Sequence, residues 1–590
     1  MDAHFSTIKY NIAINIEKAL KLSFPDNTEA IPDPITLMNA FASAPQFDMG
    51  HLAFGCFRLS KPLRKSPKDI ALALAQNFSD CEYVEKAAAS GPYLNFFYNF
   101  ENVAKKICPA VLDGSEFNKT LVDKPKKTMV EYFQPNTHKE YHVGHMRNLC
   151  LGDSLIKLMT YAGVPIISST FPGDVGTHVA KCLWYLKFHN KTAEPEGVLE
   201  KGAWLGKLYS NANNKLEDER GSDKEAENKE ILTNILKELH AESGEYYELW
   251  KKTRQYSVAL LDSVCKWANV EFDKRYWESE VDAPSVELVK KYLDSGLFVV
   301  DQGAVGIYLE EDKLGFCLLL KSDGTGLYAT KDLELARRKF EDFQIERSLY
   351  VVDNRQERHF KQVFKTLEKM GFEQARDCHH IQYEMVELAD GAMSSRKGNI
   401  IPLMELINKM EQTIASNYLA KYVDEWDQTE IKNTAHIVAQ GAIKYGMIRM
   451  DNNKKIVFDM DEWLRLDGES GPYIQYAFAR INNMCLKLGY SGEEEVDWNT
   501  LEHACEKKII AKLLEFNDVV FVASEQFKPS FLSSYLFELS KLFNAFYSEC
   551  PVGKADNKKL KIARLALAKS TSVVIEKGLS LLGIPVPQRM

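Results

Sequence analysis

The sequence predicts a multidomain α/β chain: a small N-terminal α/β module, a central doubly wound parallel sheet and an all-helical C-terminal region. Three observations carry this expectation. From Lys127 to about residue 190 the apolar pattern alternates strand, helix, strand, helix, as parallel strands joined by crossover helices require. Ahead of it lie a helix-period segment, Ile8 to Leu22, and short aromatic strand patterns around His51 to Leu59 and Tyr93 to Tyr98. From about Asn433 to Leu582 the periodicity is helical almost throughout.

The first unit, 1–115, adds a second helix from Pro67 to Gln76, and lysines at 124, 126 and 127 mark the linker that follows. The second unit, 125–430, holds the parallel sheet and an insertion of about 190–300, whose charged run KLEDERGSDKEAENKE reads as a solvated helical excursion. Strand patterns at Gly303 to Leu309, Leu314 to Lys321 and Leu349 to Val352 resume the α/β alternation. The third unit, 431–590, is the helical one. At 590 residues the chain has room for three or four domains of roughly 150 residues.

Composition narrows the classes. The chain is 45% hydrophobic and 27% charged, which suits a globular protein with sizeable cores. No apolar run is long enough to cross a bilayer, so no membrane partner is expected. The first twenty residues lack the basic-then-apolar layout of a signal peptide. Eleven cysteines stand singly with no CxxC pair, which fits reduced thiols in a cytoplasmic protein better than disulfides or a zinc site. A net charge of −9 excludes a uniformly basic nucleic-acid binder but not a local basic patch. Lys554, Lys558, Lys559, Lys561, Arg564 and Lys569 supply one.

The central stretch Glu131 to Asp153, EYFQPNTHKEYHVGHMRNLCLGD, runs from a buried strand through a Gln-Pro-Asn break into a helix. This places His142 and His145 at a helix N-terminus, where free N–H groups and the helix dipole favour an anion such as phosphate. Positions three apart share a helical face, and Gly144 between them lets a flat ring approach the backbone. A plain capped helix and a metal site recruiting His138 and His178 are the other readings of HVGH; the second lacks the HExxH spacing. Further on, Tyr328 and Asp332 share a helix face after a glycine turn, a phenol and a carboxylate suited to a guanidinium. Gln356 follows a strand end, and the loop Gly391 to Asn399 sets Ser394, Ser395, Arg396 and Lys397 between glycines. Such a loop can close over a polyphosphate.

HVGH followed by MSSRKG resembles the signature pair of class I aminoacyl-tRNA synthetases. More closely, PNTHKEYHVGHMRN, GDVGTH, SDGTGLYATKD, QERHF, MSSRKGN, GPYIQYAFARI and the ending LLGIPVPQRM resemble the arginyl-tRNA synthetase family, in its order and over nearly the whole chain. The resemblance implies a Rossmann-like catalytic domain and ATP-dependent ligation of L-arginine to tRNA(Arg) through an adenylate, for protein biosynthesis. Mg²⁺ would be carried by the nucleotide, and a monomer is expected. It implies that ATP meets His142, Gly144, His145, Met393, Ser394 and Ser395. Arginine would meet Glu131, Gln134, Asn136, His145, Tyr328, Asp332 and Gln356. The helical DALR-type domain would read the anticodon with Tyr473, Tyr476 and Arg480, and Asn95 lies in the segment expected at the tRNA elbow. One departure stands out: the usual KMSKS loop has Ala392 and Ser395 here at its lysine positions. Lys139, three residues before His142, matches the lysine with which the family compensates; Arg396 and Lys397 are the competing cations.

Overall fold

The computed structural model describes residues 7–79, 81–118, 120–388 and 402–590. In the N-terminal module, β1 (Phe41–Ala42), β2 (Leu52–Gly55), β3 (Val84–Ser90) and β4 (Tyr93–Tyr98) form an antiparallel sheet in the order β1-β2-β4-β3. Leu94 and Phe96 alternate onto one face and are buried with Ile12, Ile16, Ile70 and Leu74 of the helices Thr7–Ser23 and Pro67–Asn77. Ser66 starts the second helix by accepting from Asp69 N at 3.1 Å, and Pro67 suits the first turn, where no N–H is needed.

The chain then lays down β5 (Thr128–Glu131), the long helix Val143–Tyr161 and β6 (Ile166–Thr170). Four helices follow, Thr177–Phe188, Val198–Asp218, Lys224–His240 and Glu245–Ala268, before β7 (Lys274–Arg275) returns to the sheet. A second excursion holds the helix Glu278–Asp294 and the strands β8 (Val299–Asp301), β9 (Ala304–Leu309) and β10 (Gly315–Leu320). After the helix Tyr328–Phe343 come β11 (Arg347–Asp353) and β12 (Cys378–Tyr383). The main sheet is fully parallel in the order β12-β11-β5-β6-β7. The direction of winding reverses between β5 and β11, so a ligand crevice is expected beyond the carboxyl ends of those two strands.

One expectation is corrected. The strand patterns at Gly303 to Leu309 and Leu314 to Lys321 do not join the parallel sheet; they pair antiparallel in a separate three-stranded sheet, β10-β9-β8. The charged run at 215–230 is exposed or half-buried apart from Asn228, as expected, while the other side of the insertion is apolar. Ala212, Ile235 and Trp250 of the insertion are buried with Leu183 and Trp184 of the preceding helix, and Arg254 fixes it to the loop residue Asp174 at 2.7 Å. Charge is confined to the outer faces, so composition summed along the segment conceals the apolar stripe.

Helices begin earlier than Asn433, with Leu403–Asn417 and Gln428–Ile448. A short parallel pair, β13 (Val386–Leu388) with β14 (Ile456–Phe458), stitches the end of the α/β unit to the helical one. Lys444, almost fully buried, donates to the carbonyl oxygens of Ala268 and Gly583 at 2.5 Å and lies 3.8 Å from Asp153, tying three regions together. Apolar packing runs continuously from the N-terminal module to Met590. No helix among the described residues is long and apolar enough to cross a membrane.

Candidate active site

The crevice between β5 and β11 is pinned by Asn148. Its Oδ1 accepts from the Phe133 N–H at 2.5 Å, and its Nδ2 donates to Val351 O at 2.8 Å and to the Tyr383 hydroxyl at 3.0 Å. One side chain thus bridges the exits of β5 and β11 and supports β12. Phe133 sits at φ 51°, a left-handed conformation that costs a bulky residue on the order of 1–3 kcal/mol; this bond and Thr170 Oγ1 donating to Phe133 O at 2.5 Å hold it there. The neighbouring Arg147, 1% exposed, donates to the carbonyls of Glu384 and Asn452 and stacks 5.8 Å over Tyr383.

His142 is the N-cap of the helix Val143–Tyr161, and its Nδ1 accepts from Gly144 N at 3.2 Å. His145 Nδ1 accepts from His142 N at 3.1 Å. A nitrogen that accepts a backbone N–H carries no proton, so both imidazoles are assigned the Nε2–H tautomer. Burial, then the charges of Arg355 and Lys139, pull the His142 pKa down to about 4; burial, then His142 and Lys139, hold His145 well below the usual range. Both rings are therefore neutral at pH 7, centroids 4.0 Å apart, each with one N–H to offer an acceptor. A Cβ on Gly144 would stand 3.0 Å from two atoms of the His142 ring, so a side chain there would displace the cap.

Acidic groups face the same crevice. Glu131, 3% exposed at the end of β5, pairs with the wholly buried Lys339, whose ammonium lies 3.8 Å from the Tyr350 ring centre. Burial pushes the Glu131 carboxyl above its ordinary range against the pull of Lys339. Gln134 Nε2 lies 3.4 Å from Glu131 Oε1, and Gln134 Oε1 is buried without a partner among the described residues. Asp332 accepts from His359 Nε2 at 2.5 Å and is near enough to raise the Glu131 pKa by repulsion. Burial depresses His359, but the bond to Asp332 outweighs it, and its pKa is raised. Asn136 lies so close to Gly173 that a Cβ there would fall 2.3 Å from its Oδ1.

The expected site residues therefore divide. Glu131, Gln134, His142, Gly144, His145 and Asp332 flank the β5–β11 crevice. Tyr328 is 68% exposed and Gln356 is exposed, both at helix starts. Lys139 lies 5.1 Å over the Tyr209 ring, supplied by the insertion, and its charge reaches both histidines. Glu131, expected as one of several residues meeting the arginine, is already paired with Lys339. Met393, Ser394, Ser395, Arg396 and Lys397 lie outside the described residues. Nothing in the sequence singles out Lys339, whereas Arg147, Asn148 and His359 stand inside the motifs HMRN and QERHF.

In the helical region, Ser470 caps the helix Gly471–Lys487 by accepting from Tyr473 N at 3.1 Å. Asn544 donates to the Tyr473 hydroxyl and accepts from Arg480, each at 2.8 Å. The Arg480 guanidinium stacks 4.6 Å from Tyr476 and 5.0 Å from Tyr547, on the wall of a cleft of about 690 Å³ that also takes Lys487 and Lys554. The basic patch is partly neutralised: Arg564 pairs with buried Glu506 at 2.6 Å and Lys559 with Asp497 at 3.1 Å. Asn95 is 5% exposed, and its amide donates to Met49 O at 2.9 Å, holding the turn over the sheet.

Paired histidines at a helix start, set at the switch point of a parallel sheet and followed by a helical domain, define a class I aminoacyl-tRNA synthetase architecture. Residues 107–460 match the tRNA synthetases class I (R) catalytic domain, 474–590 the DALR anticodon binding domain and 7–98 the arginyl tRNA synthetase N terminal domain. The chain is 50% identical over 98% of its length to an arginine–tRNA ligase of Bdellovibrio bacteriovorus, covering 98% of that protein. It is 34% identical over 92% of its length to one of Clostridium botulinum, covering 95%. It superposes on a Thermus thermophilus arginyl-tRNA synthetase with a TM-score of 0.81 and 26% identity, spanning 97% of this chain and all of that one. The chain belongs to the arginyl-tRNA synthetase family.

Proposed function

We infer that this chain ligates L-arginine to tRNA(Arg) in two steps. The arginine carboxylate attacks the α-phosphorus of ATP, the bond to the β-phosphate oxygen breaks, and pyrophosphate leaves. The 2′-hydroxyl of the terminal adenosine then attacks the arginyl carbonyl and releases AMP. Catalysis rests on positioning and charge stabilisation in a site already organised for it. Two fixed Nε2–H donors at a helix N-terminus, beside an acidic crevice, carry the reading. The donors suit the phosphates, and the acids suit a guanidinium.

In this assignment His142, His145 and Gly144 receive the nucleotide with Met393, Ser394 and Ser395, and Mg²⁺ arrives on its phosphates. Gln134, Asn136, Tyr328, Asp332 and Gln356 receive arginine, with the Glu131–Lys339 pair beneath them as a buried support. Lys139 neutralises charge on the departing pyrophosphate, with Arg396 and Lys397 as competitors. Tyr473, Tyr476 and Arg480 form the anticodon surface, where aromatic faces and a guanidinium suit unstacked bases. The protein works as a cytoplasmic monomer. Pyrophosphate exchange into ATP, with and without tRNA, tests the chemistry: exchange dependent on arginine supports it, and exchange absent under both conditions contradicts it.

A further inference from the structure

Away from the crevice, the start of the helix Ala504–Leu513 meets the end of the helix Ser530–Glu549. There His503, Cys505 and Glu549 bring one imidazole nitrogen, one sulfur and one carboxylate oxygen within 4.8 Å of one another, the one such group among the described residues. Cys505 Sγ donates to Glu549 Oε2 at 3.3 Å, and a second thiol, Cys550, lies 3.2 Å from His503 Nδ1. We propose that His503, Cys505 and Glu549 hold a zinc-class divalent cation at the seam between these two helices.

The donor set fits that ion. Nitrogen, thiolate and carboxylate together suit zinc and its borderline-soft neighbours, whereas calcium and magnesium take oxygen alone. As the metal–sulfur bond forms, the Cys505 proton leaves to solvent, and thiolate and carboxylate together balance a double positive charge. Tetrahedral bonds of about 2.0–2.3 Å require donors roughly 3.3–3.8 Å apart, so side chains need to close by only about 1 Å. Glu549 and His503 are exposed, which gives an entry path, and Cys505 is buried, which gives a fixed wall. The backbone behind them is braced: His503 N donates to Glu506 at 2.8 Å, and buried Glu506 is itself held by Arg564. Donors drawn from positions 44 residues apart leave no CxxC-like spacing for the sequence to reveal.

The test is cobalt titration of the chelator-stripped full-length chain, reading the thiolate-to-cobalt charge-transfer band and its loss on adding zinc. One equivalent of cobalt should produce the band. Cys505→Ser should abolish it, and Glu549→Gln, a change at an exposed position that spares the fold, should weaken binding at least tenfold. Absence of the band in the parent chain overturns the proposal. So does cobalt affinity in Glu549→Gln equal to that of the parent, whether or not Cys505→Ser folds.

Discussion

Asp332 should read the positive charge of arginine, and two matched perturbations isolate that contact. Asp332→Asn removes the charge from the protein; citrulline, with a neutral urea in place of the guanidinium, removes it from the substrate. Asp332 is 15% exposed and already shares one oxygen with His359 at 2.5 Å. Its loss should therefore fall near the lower end of the roughly 2–5 kcal/mol typical of charged partners, about 2–3 kcal/mol or some 30- to 150-fold in kcat/KM for arginine. The two changes should not add, because each deletes the same interaction; the parent's preference for arginine over citrulline should largely vanish in the variant. His359 adds a pH signature. Its pKa is raised above the ordinary imidazole value by Asp332, so below that raised value it carries a charge that competes with the guanidinium. Arginine kcat/KM should be flat above it and decline toward tenfold per pH unit below it, and His359→Gln should flatten the profile. Pyrophosphate exchange at graded arginine, citrulline and pH measures all of this. An arginine-to-citrulline preference unchanged by Asp332→Asn would refute the assignment.

Three further outcomes follow from the same geometry. Lys139→Ala should lower kcat of adenylate formation by about a hundred- to a thousandfold with little change in KM, as expected for a group acting mainly in the transition state. Pre-steady-state adenylate formation reads this, and near-parent rates in Lys139→Ala beside an inactive Lys397→Ala would move the role to the loop. Arg480→Ala should weaken tRNA binding by about tenfold and reduce the salt slope by about one, seen by filter binding at several ionic strengths, while ATP binding is unchanged. Folding stability should fall with acid. His138, buried between Thr137 and Thr253, is pulled down to about 3 and His142 to about 4, both below the unfolded value of about 6.5. The unfolded chain therefore binds protons first as pH drops. Each histidine should cost about 2 kcal/mol between pH 7 and 5, with the loss for His142 complete near pH 4. Urea melts across that range check the sign, and a flat profile contradicts it.

The layer order of the fold was readable because each main strand and helix carries its own periodicity, and HVGH announces its place by sitting between a strand pattern and a helix pattern. What was not readable is pairing at a distance. Nothing adjacent to Lys339 marks it as the partner of Glu131, since a buried lysine on an amphipathic helix looks like a solvated one until the fold places it under Tyr350. The alternation of β9 and β10 predicts strands but not that they pair with each other, and β9 with β8, outside the main sheet, because period-2 patterning is silent about partners. Asn95 shows the same limit from the other side: its strand pattern says nothing of the turn at Met49–Gly50 that covers its face.

Charging of total tRNA by the full-length chain, offered each of the twenty amino acids separately with ATP, tests the central claim most directly. Acid-stable attachment of arginine alone, to arginine-accepting tRNA and dependent on ATP, is the predicted result. Attachment of any other amino acid at comparable kcat/KM, or none of arginine, would contradict it.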